Sequence, residues 1–323
     1  MKNQIKELLK KVNTVLIAGH SDPDGDSIGS MLGLGFMLEQ LGKTVHYFCV
    51  DSVPRVYAFL PGIDKIKKNL SPGQTYDVLF VVDSSDLSRI GDKLTDFRQT
   101  AKTIVNIDHH PDNTNFGDIN LVVAASSTSE VIFDLALFLK SKIDQKIAEC
   151  LYVALITDTG NFRYENTTAK TFQMAAELMK CGIKTNEITT RIYDTRTIKA
   201  VKITALAMSN VKFAGDGKIC WTAVNEDMME QVGALGEDLV GIVDCLRSIE
   251  GVEVAIFFRE KDELVKMNFR SKKRVNVSEI ARKFGGGGHV KAAGAVMNGK
   301  LEKVEALVIA EAEKQISSLK YLV

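Results

Sequence analysis

Four short runs in the first half of the chain, TVLIAG (14–19), TVHYFCV (44–50), DVLFVVD (77–83) and TIVNID (103–108), are β-branched and almost continuously apolar. A strand with one wet face alternates apolar and polar residues, whereas a strand buried on both faces does not. The runs therefore predict doubly buried strands, and the helical stretch SIGSMLGLGFMLEQLG (27–42) between the first two predicts an α/β fold with a parallel sheet. Further helices are expected near 128–141, 144–156 and 168–181, the first opened by Ser127 and Glu130 at capping-box spacing.

From Cys181 to Val211 the pattern becomes one long polar-faced helical stretch. Beyond it come KICWTAV (218–224), a helix over 235–250, EVAIFFRE (253–260), LVKMNFRS (264–271) and the helix VSEIARKF (277–284). Adjacent strand pairs predict a mixed sheet in this smaller unit. With 323 residues two cores are affordable. The expected organisation is a catalytic unit at 1–185, a helical connector at 186–210 and a second α/β unit at 211–323.

Ligands of such sheets bind at the carboxyl ends of the strands. After the first run stand His20, Asp22, Asp24 and Asp26; Asp83 ends the third; Asp108, His109 and His110 follow the fourth; the segment ALITDTGN adds Asp158. Taken singly, Asp26, Asp83 or Asp158 reads equally well as a helix N-cap. Together, so many carboxylates on one edge would repel unless cations neutralised them. Histidine with aspartate, and no cysteine, suits Mn²⁺ or Mg²⁺ ahead of structural zinc. Four of the five histidines lie in such acid- or glycine-rich loops, and only His46 falls inside a strand.

Other features narrow the function. Lysine plus arginine and aspartate plus glutamate both number 41, so no overall basic field exists to hold long nucleic acid; a nucleic-acid substrate should be short or gripped locally. The five cysteines form no CxxC pair, the N-terminus lacks a signal-peptide pattern, and no apolar run reaches the roughly 20 residues of a membrane span, so a soluble cytoplasmic protein is expected. No cysteine sits in a motif loop, and no protein nucleophile is expected. The run GGGGH (285–289) reads as a helix end or as backbone bared for a ligand; without GK[ST] it is not an ATP-binding loop. Beside it, RSKKR (270–274) reads as a solvated turn or a phosphate clamp.

The ordered segments GHSDPDGDSIGS (19–30), VVDSSDLSRIG (81–91), NIDHHPDN (106–113) and ALITDTGNFRYENTT (154–168), followed by GGGGHVKAAGA (285–295), resemble the DHH phosphoesterase superfamily with its associated C-terminal domain. Within it the chain is similar to the stand-alone nanoRNase/pAp phosphatase group. The resemblance implies two divalent ions, Mn²⁺ first, with Mg²⁺ or Co²⁺ as alternatives. It assigns one ion to His20, Asp24 and Asp83 and the other to Asp26, Asp83, His109 and Asp158, with Asp83 bridging. Asp108 and His110 are the implied catalytic pair, Asp108 orienting imidazoles and His110 contacting the scissile phosphate. Asp22 and Asp86 are expected to bond within their own loops. Arg270, Ser271, Gly287, Gly288 and His289 are implied to hold the far end of the substrate, across an active-site cleft between the two units that gauges substrate length.

The activity so implied is release of 5′ mononucleotides from very short oligonucleotides, including pApA and pGpG, together with dephosphorylation of pAp. Hydrolysis of a cyclic dinucleotide such as cyclic di-AMP, or catalytically silent nucleotide sensing, are the alternatives. No long duplex and no membrane is expected as a partner, and a homodimer is an expectation at family level alone.

Overall fold

The runs read as doubly buried strands pair side by side. In the computed structural model, which describes residues 1–70, 73–91 and 97–320, the chain divides into two compact units, Met1–Asp194 and Thr195–Val323. In the first, β1 (Thr14–Ala18), β2 (Thr44–Phe48), β3 (Ile66–Lys67), β4 (Tyr76–Val82), β5 (Ala101–Asp108) and β6 (Ile119–Val122) form one sheet in the order β3-β2-β1-β4-β5-β6. Every pairing is parallel. Its helices are α1 (Lys2–Leu9), α2 (Gly25–Gln40), α3 (Phe97–Thr100), α4 (Thr128–Leu139), α5 (Gln145–Asp158), α6 (Ala169–Lys180) and α7 (Thr185–Thr189).

Successive strand residues feed two cores. Val15, Ile17, Val78, Phe80, Val105 and Ile107 pack with buried residues of α2, α4 and α5, while Leu16, Ala18, Leu79, Val81 and Ile104 pack on the other side with Phe48, Tyr76 and Ile90. This is why the runs carry no alternation. The strand order reverses between β1 and β4, the topological switch at which such sheets open a crevice outside their carboxyl ends.

Helices α2 and α5 cross unusually closely. Gly25, Gly29 and Gly33 recur every four residues on α2, and a Cβ added at Gly29 would stand 2.3 Å from the carbonyl oxygen of Cys150 on α5. At Gly25 it would meet the Thr157 methyl at 2.4 Å. Any side chain there would push the helices apart. Their close crossing draws the start of α2, with Asp26, toward the end of α5, with Asp158.

The second unit contains α8 (Ile198–Ser209), β7 (Lys212–Ala214), β8 (Ile219–Val224), α9 (Glu226–Val232), α10 (Ile242–Ser248), β9 (Val254–Lys261), β10 (Leu264–Ser271), α11 (Val277–Arg282), β11 (Gly287–His289), β12 (Ala292–Asn298) and α12 (Leu301–Lys320). Its sheet, β11-β12-β10-β9-β8-β7, is mixed: β8 and β9 are parallel and the other pairs antiparallel.

Two helices expected to be continuous are broken. Between 181 and 211, α7 passes into a π-turn at Thr190–Asp194 and α8 starts afresh, because the Thr197 hydroxyl accepts the Ala200 N–H at 2.9 Å as an N-cap. Between 235 and 250, Gly241 takes a left-handed φ of 90° and Arg196 donates to the Val240 carbonyl, separating a 3₁₀ turn from α10. Among the described residues, no helix is long and apolar enough to cross a membrane.

Candidate metal centre

The switch point between β1 and β4 is where the acidic and imidazole side chains meet. His20 lies just past β1 and is 5% exposed. Asp24 is the N-cap of α2, accepting the Ser27 N–H at 3.0 Å, so it rather than Asp26 takes the capping role. Asp26, in the first turn of α2, is buried. Asp83 follows β4 with a left-handed φ of 56°. Asp108 ends β5, His109 and His110 come next, and Asp158 is the last residue of α5. Asp86 caps the 3₁₀ turn Leu87–Ile90, accepting from Ser88, and the Asp22 N–H donates to Asp51.

Distances divide the cluster around Asp83. His20 Nε2 lies 3.4 Å from Asp83 Oδ2 and 3.9 Å from Asp24 Oδ1. On the other side His109 Nε2 lies 3.7 Å from Asp83 Oδ1, 3.7 Å from Asp26 Oδ2 and 3.5 Å from Asp158 Oδ2. Asp83 thus offers one oxygen to each group.

The donor set fits divalent cations. His20 Nδ1 bonds the Ser21 carbonyl at 2.6 Å and His109 Nδ1 the Ala125 carbonyl at 3.1 Å. A carbonyl only accepts, so each Nδ1 carries the hydrogen; against burial, Asp83 and Asp24 favour a second proton on His20, and a ring without that proton aims its Nε2 lone pair at the carboxylates. Lone pair facing carboxylate is repulsive unless something positive lies between. Separations of 3.4 to 3.9 Å between these ligand atoms would leave room for a divalent ion between them. The ligand atoms of His20, Asp24 and Asp83, and separately those of Asp26, His109 and Asp158, all lie within 4.8 Å of one another.

Protonation reflects the same crowding. Burial, then the charges of Asp83, Asp158 and Asp24, push the Asp26 carboxyl well above its usual range. Burial raises Asp158 to about 7, helped by Asp83 and Asp24 against the opposing pull of His109. Asp83 goes the other way: burial works against its ionised form, but bonding to His20 and the fields of the three histidines hold it low. Cations take over that neutralising role. Chelation of bound metal is therefore expected to lower the melting temperature of the protein. Loss of a ligand present at a hundred times its Kd removes about 2.7 kcal/mol, or roughly 5 to 10 °C for a unit of this size, as a scan with and without EDTA would show.

His110 lies beside this set, 3.8 Å from Asp83 Oδ1, and is bonded to Asp108, whose Oδ1 accepts its Nδ1–H at 2.7 Å. Burial disfavours the charged ring, but the Asp108 bond and the Asp83 charge raise it to about 9. Two residues outside the expected site fix Asp108: Asn113 donates to its Oδ2 at 2.6 Å and to Asn106 Oδ1 at 2.8 Å. Asn106, fully buried on β5, in turn donates to the Ser84 carbonyl, as Asn113 also does. A lone asparagine inside an apolar run, as in TIVNID, was the available signal for this scaffold.

Comparison with known proteins identifies the family. The family profile for the DHH family, N-terminal domain, matches residues 14–155, and the DHHA1 domain profile matches residues 216–318. The chain is 35% identical to a "Bifunctional oligoribonuclease and PAP phosphatase NrnA" of Thermus thermophilus, over 98% of this chain and 95% of that one. The chain belongs to the DHH family. A protein of the same description from Bacillus subtilis is 31% identical over 91% of this chain and 93% of its own length. Among solved structures, an "exopolyphosphatase-related protein" from Bacteroides fragilis superposes with a TM-score of 0.88 at 26% identity, covering 99% of this chain and 96% of that one. The DHH and DHHA1 matches fall within the first and second compact units respectively.

In the DHHA1 unit the implied substrate residues share one edge of the sheet. Arg270 on β10 is opposite Ala292 on β12, which is opposite His289 on β11, so arginine and histidine stand in one row on one face. Gly287 and Gly294 form part of the next row, and small residues keep this face low. Ser271 points the other way; it is buried and its hydroxyl donates to the Val275 carbonyl at 2.8 Å. The glycine run is partly explained by packing alone. Gly288 has φ 133° and its Cβ would meet the Ala292 carbonyl at 2.6 Å, and at Gly286 a Cβ would lie 2.0 Å from the Gly294 carbonyl. At Gly287 a Cβ would meet nothing within 4 Å.

Proposed function

We propose that this DHH protein is a two-metal phosphodiesterase that degrades very short oligonucleotides, linear dinucleotides included, to 5′ mononucleotides and also dephosphorylates pAp. The observation carrying this reading is the division of acidic and imidazole groups around the buried Asp83, in a chain whose relatives are described as oligoribonucleases and PAP phosphatases. His20, Asp24 and Asp83 hold one ion; Asp26, Asp83, His109 and Asp158 hold the other. Mn²⁺ is the preferred ion on the mixed oxygen and imidazole set, with Mg²⁺ and Co²⁺ able to use the same donors.

Bound there, two divalent cations supply Lewis acidity to the scissile phosphate and lower the pKa of an attacking water. The chain's own residues do the rest. His110, charged through its bond to Asp108, donates to a phosphate oxygen and offsets the negative charge that grows on it during attack. Asp108 keeps that ring fixed while Asn113 holds its other oxygen. In the DHHA1 unit, Arg270 and His289 bind the adjoining phosphate or nucleotide, with the Gly287 and Gly288 backbone approaching it closely. Ser271 contributes by closing the turn that carries the following basic residues.

A chain with no overall basic field favours a short substrate over a long strand. With Mn²⁺ and 5′-labelled substrates, kcat/KM for a dinucleotide is expected to exceed that for a long single strand by about tenfold or more, equivalent to at least about 1.4 kcal/mol of differential binding. Equal rates on the two would overturn the length preference. Faster turnover of cyclic di-AMP than of the linear dinucleotide would move the function to second-messenger hydrolysis.

A further inference from the structure

We propose that segment 125–129, ASSTS, is a frame that positions every ligand of the second ion, with Thr128 as its central positioning residue. The inference rests on the ligand assignment in the proposed function. Four of its five residues reach the four ligands, Asp158 through Asn166. The Ala125 carbonyl accepts the Nδ1–H of His109 at 3.1 Å. The Ser126 carbonyl accepts Asn166 Nδ2 at 2.8 Å, and that amide also donates to the Asp158 carbonyl at 3.1 Å and reaches Asp158 Oδ2 at 3.4 Å. Thr128 N–H donates to Asp26 Oδ2 at 2.7 Å and Ser129 N–H to Asp26 Oδ1 at 3.2 Å. Finally, the Thr128 hydroxyl donates to Asp83 Oδ1 at 2.9 Å, the same oxygen that faces His109.

The arrangement does more than start a helix. Ser127 alone caps α4, accepting the Glu130 N–H, while Glu130 turns its carboxylate to Ser126, so the capping box expected from Ser127 and Glu130 is half formed. That leaves Thr128 and Ser129 free to spend the first-turn N–H groups of α4 on Asp26, where the positive end of the helix favours an anion. Thr128 and Ser129 are fully buried, so no water competes for these bonds. A carboxylate whose one oxygen is pinned by a hydroxyl cannot turn away from the ion, and a ligand set fixed in advance binds with less ordering cost. By contrast His20 and Asp24, at the first ion, are oriented by Ser21 and Ser27 of their own loop. The frame therefore serves the two ions unequally.

The test is Mn²⁺ titration calorimetry on the metal-free full chain and its Thr128→Val and Thr128→Ser variants, with melting curves and dinucleotide kinetics alongside. Valine keeps the shape of threonine and removes the hydroxyl. Thr128→Val is expected to weaken one of two Mn²⁺ sites by about 10- to 100-fold, the range for loss of an outer-shell partner, and to lower kcat with KM little changed. Thr128→Ser should restore affinity to within about threefold of the parent, which a packing role for the methyl would not do. Unchanged affinity at both sites in Thr128→Val, or a serine variant as impaired as the valine one, would overturn the inference. If Thr128→Val does not fold, Asn166→Ala, outside α4, takes its place: weakened binding at one site supports the frame and parental binding at both refutes it. A parent that binds two ions in this Thr128-dependent way yet hydrolyses none of the substrates would sink the proposed function and leave the frame standing. A parent that hydrolyses the dinucleotide while Thr128→Val binds and turns over normally would do the reverse.

Discussion

Asparagine in place of Asp83 should reduce Mn²⁺-dependent turnover of a dinucleotide by at least about a thousandfold, some 4 kcal/mol of barrier, in a protein that remains folded. Asp83 presents Oδ2 to His20 and Oδ1 to His109, so a neutral amide there withdraws a charge from both proposed ions at once. Asparagine is the informative replacement because Asp83 has a φ of 56°, a left-handed conformation that asparagine tolerates and alanine does not. It also keeps an oxygen able to accept from the Thr128 hydroxyl. Circular dichroism would establish the fold and initial rates the loss. Activity within tenfold of the parent would remove Asp83 from the centre of the mechanism.

The second large effect is on stability, and its sign is opposite to the helix-propensity rule. Inside an isolated helix, glycine to alanine gains about 0.8–1 kcal/mol. At Gly29 we expect a loss of roughly 1–3 kcal/mol, because the new methyl would sit 2.3 Å from the Cys150 carbonyl, a backbone atom that cannot rotate aside. Helices α2 and α5 must then separate. Since α2 carries Asp26 and α5 ends in Asp158, Mn²⁺ affinity should fall in the molecules that still fold. Chemical denaturation of Gly29→Ala measures the first effect and metal titration the second. A stabilised variant would show that the close crossing is not what it is taken to be.

Much of this was written in residue types that announce their environment. Strands β1, β4 and β5 were legible because both faces are covered, leaving apolar runs with no alternation, whereas β2, also expected to be doubly buried, is buried only at Tyr47 and Phe48. Strand β3 has only two residues and β6, at the sheet edge, is INLV with mostly half-buried positions, so neither makes a pattern. Helix α12 went unread, and the break at Gly241 was hidden inside a stretch of even helical character. At the site, charge made His20, Asp83 and His109 conspicuous. The parts that orient them, Asn106, Asn113, Thr128, Ser129 and Asn166, are uncharged and act largely through amides and main-chain groups. Their types are common in loops and caps, so only their spatial convergence distinguishes them. The three aspartates that read equally well as caps show the same ambiguity: Asp24 and Asp86 take the capping bonds near Asp26 and Asp83, and Asp158 ends a helix instead of starting one.

The central claim is that the centre around Asp83 hydrolyses short oligonucleotides with the help of divalent metal. The most direct measurement is the initial rate of mononucleotide release from 5′-labelled pApA by the full chain, in Mn²⁺ and again after exhaustive chelation. Rapid release in Mn²⁺, its loss on chelation and its return when the ion is restored are expected. No metal-dependent release from pApA, or release that survives chelation, would contradict it.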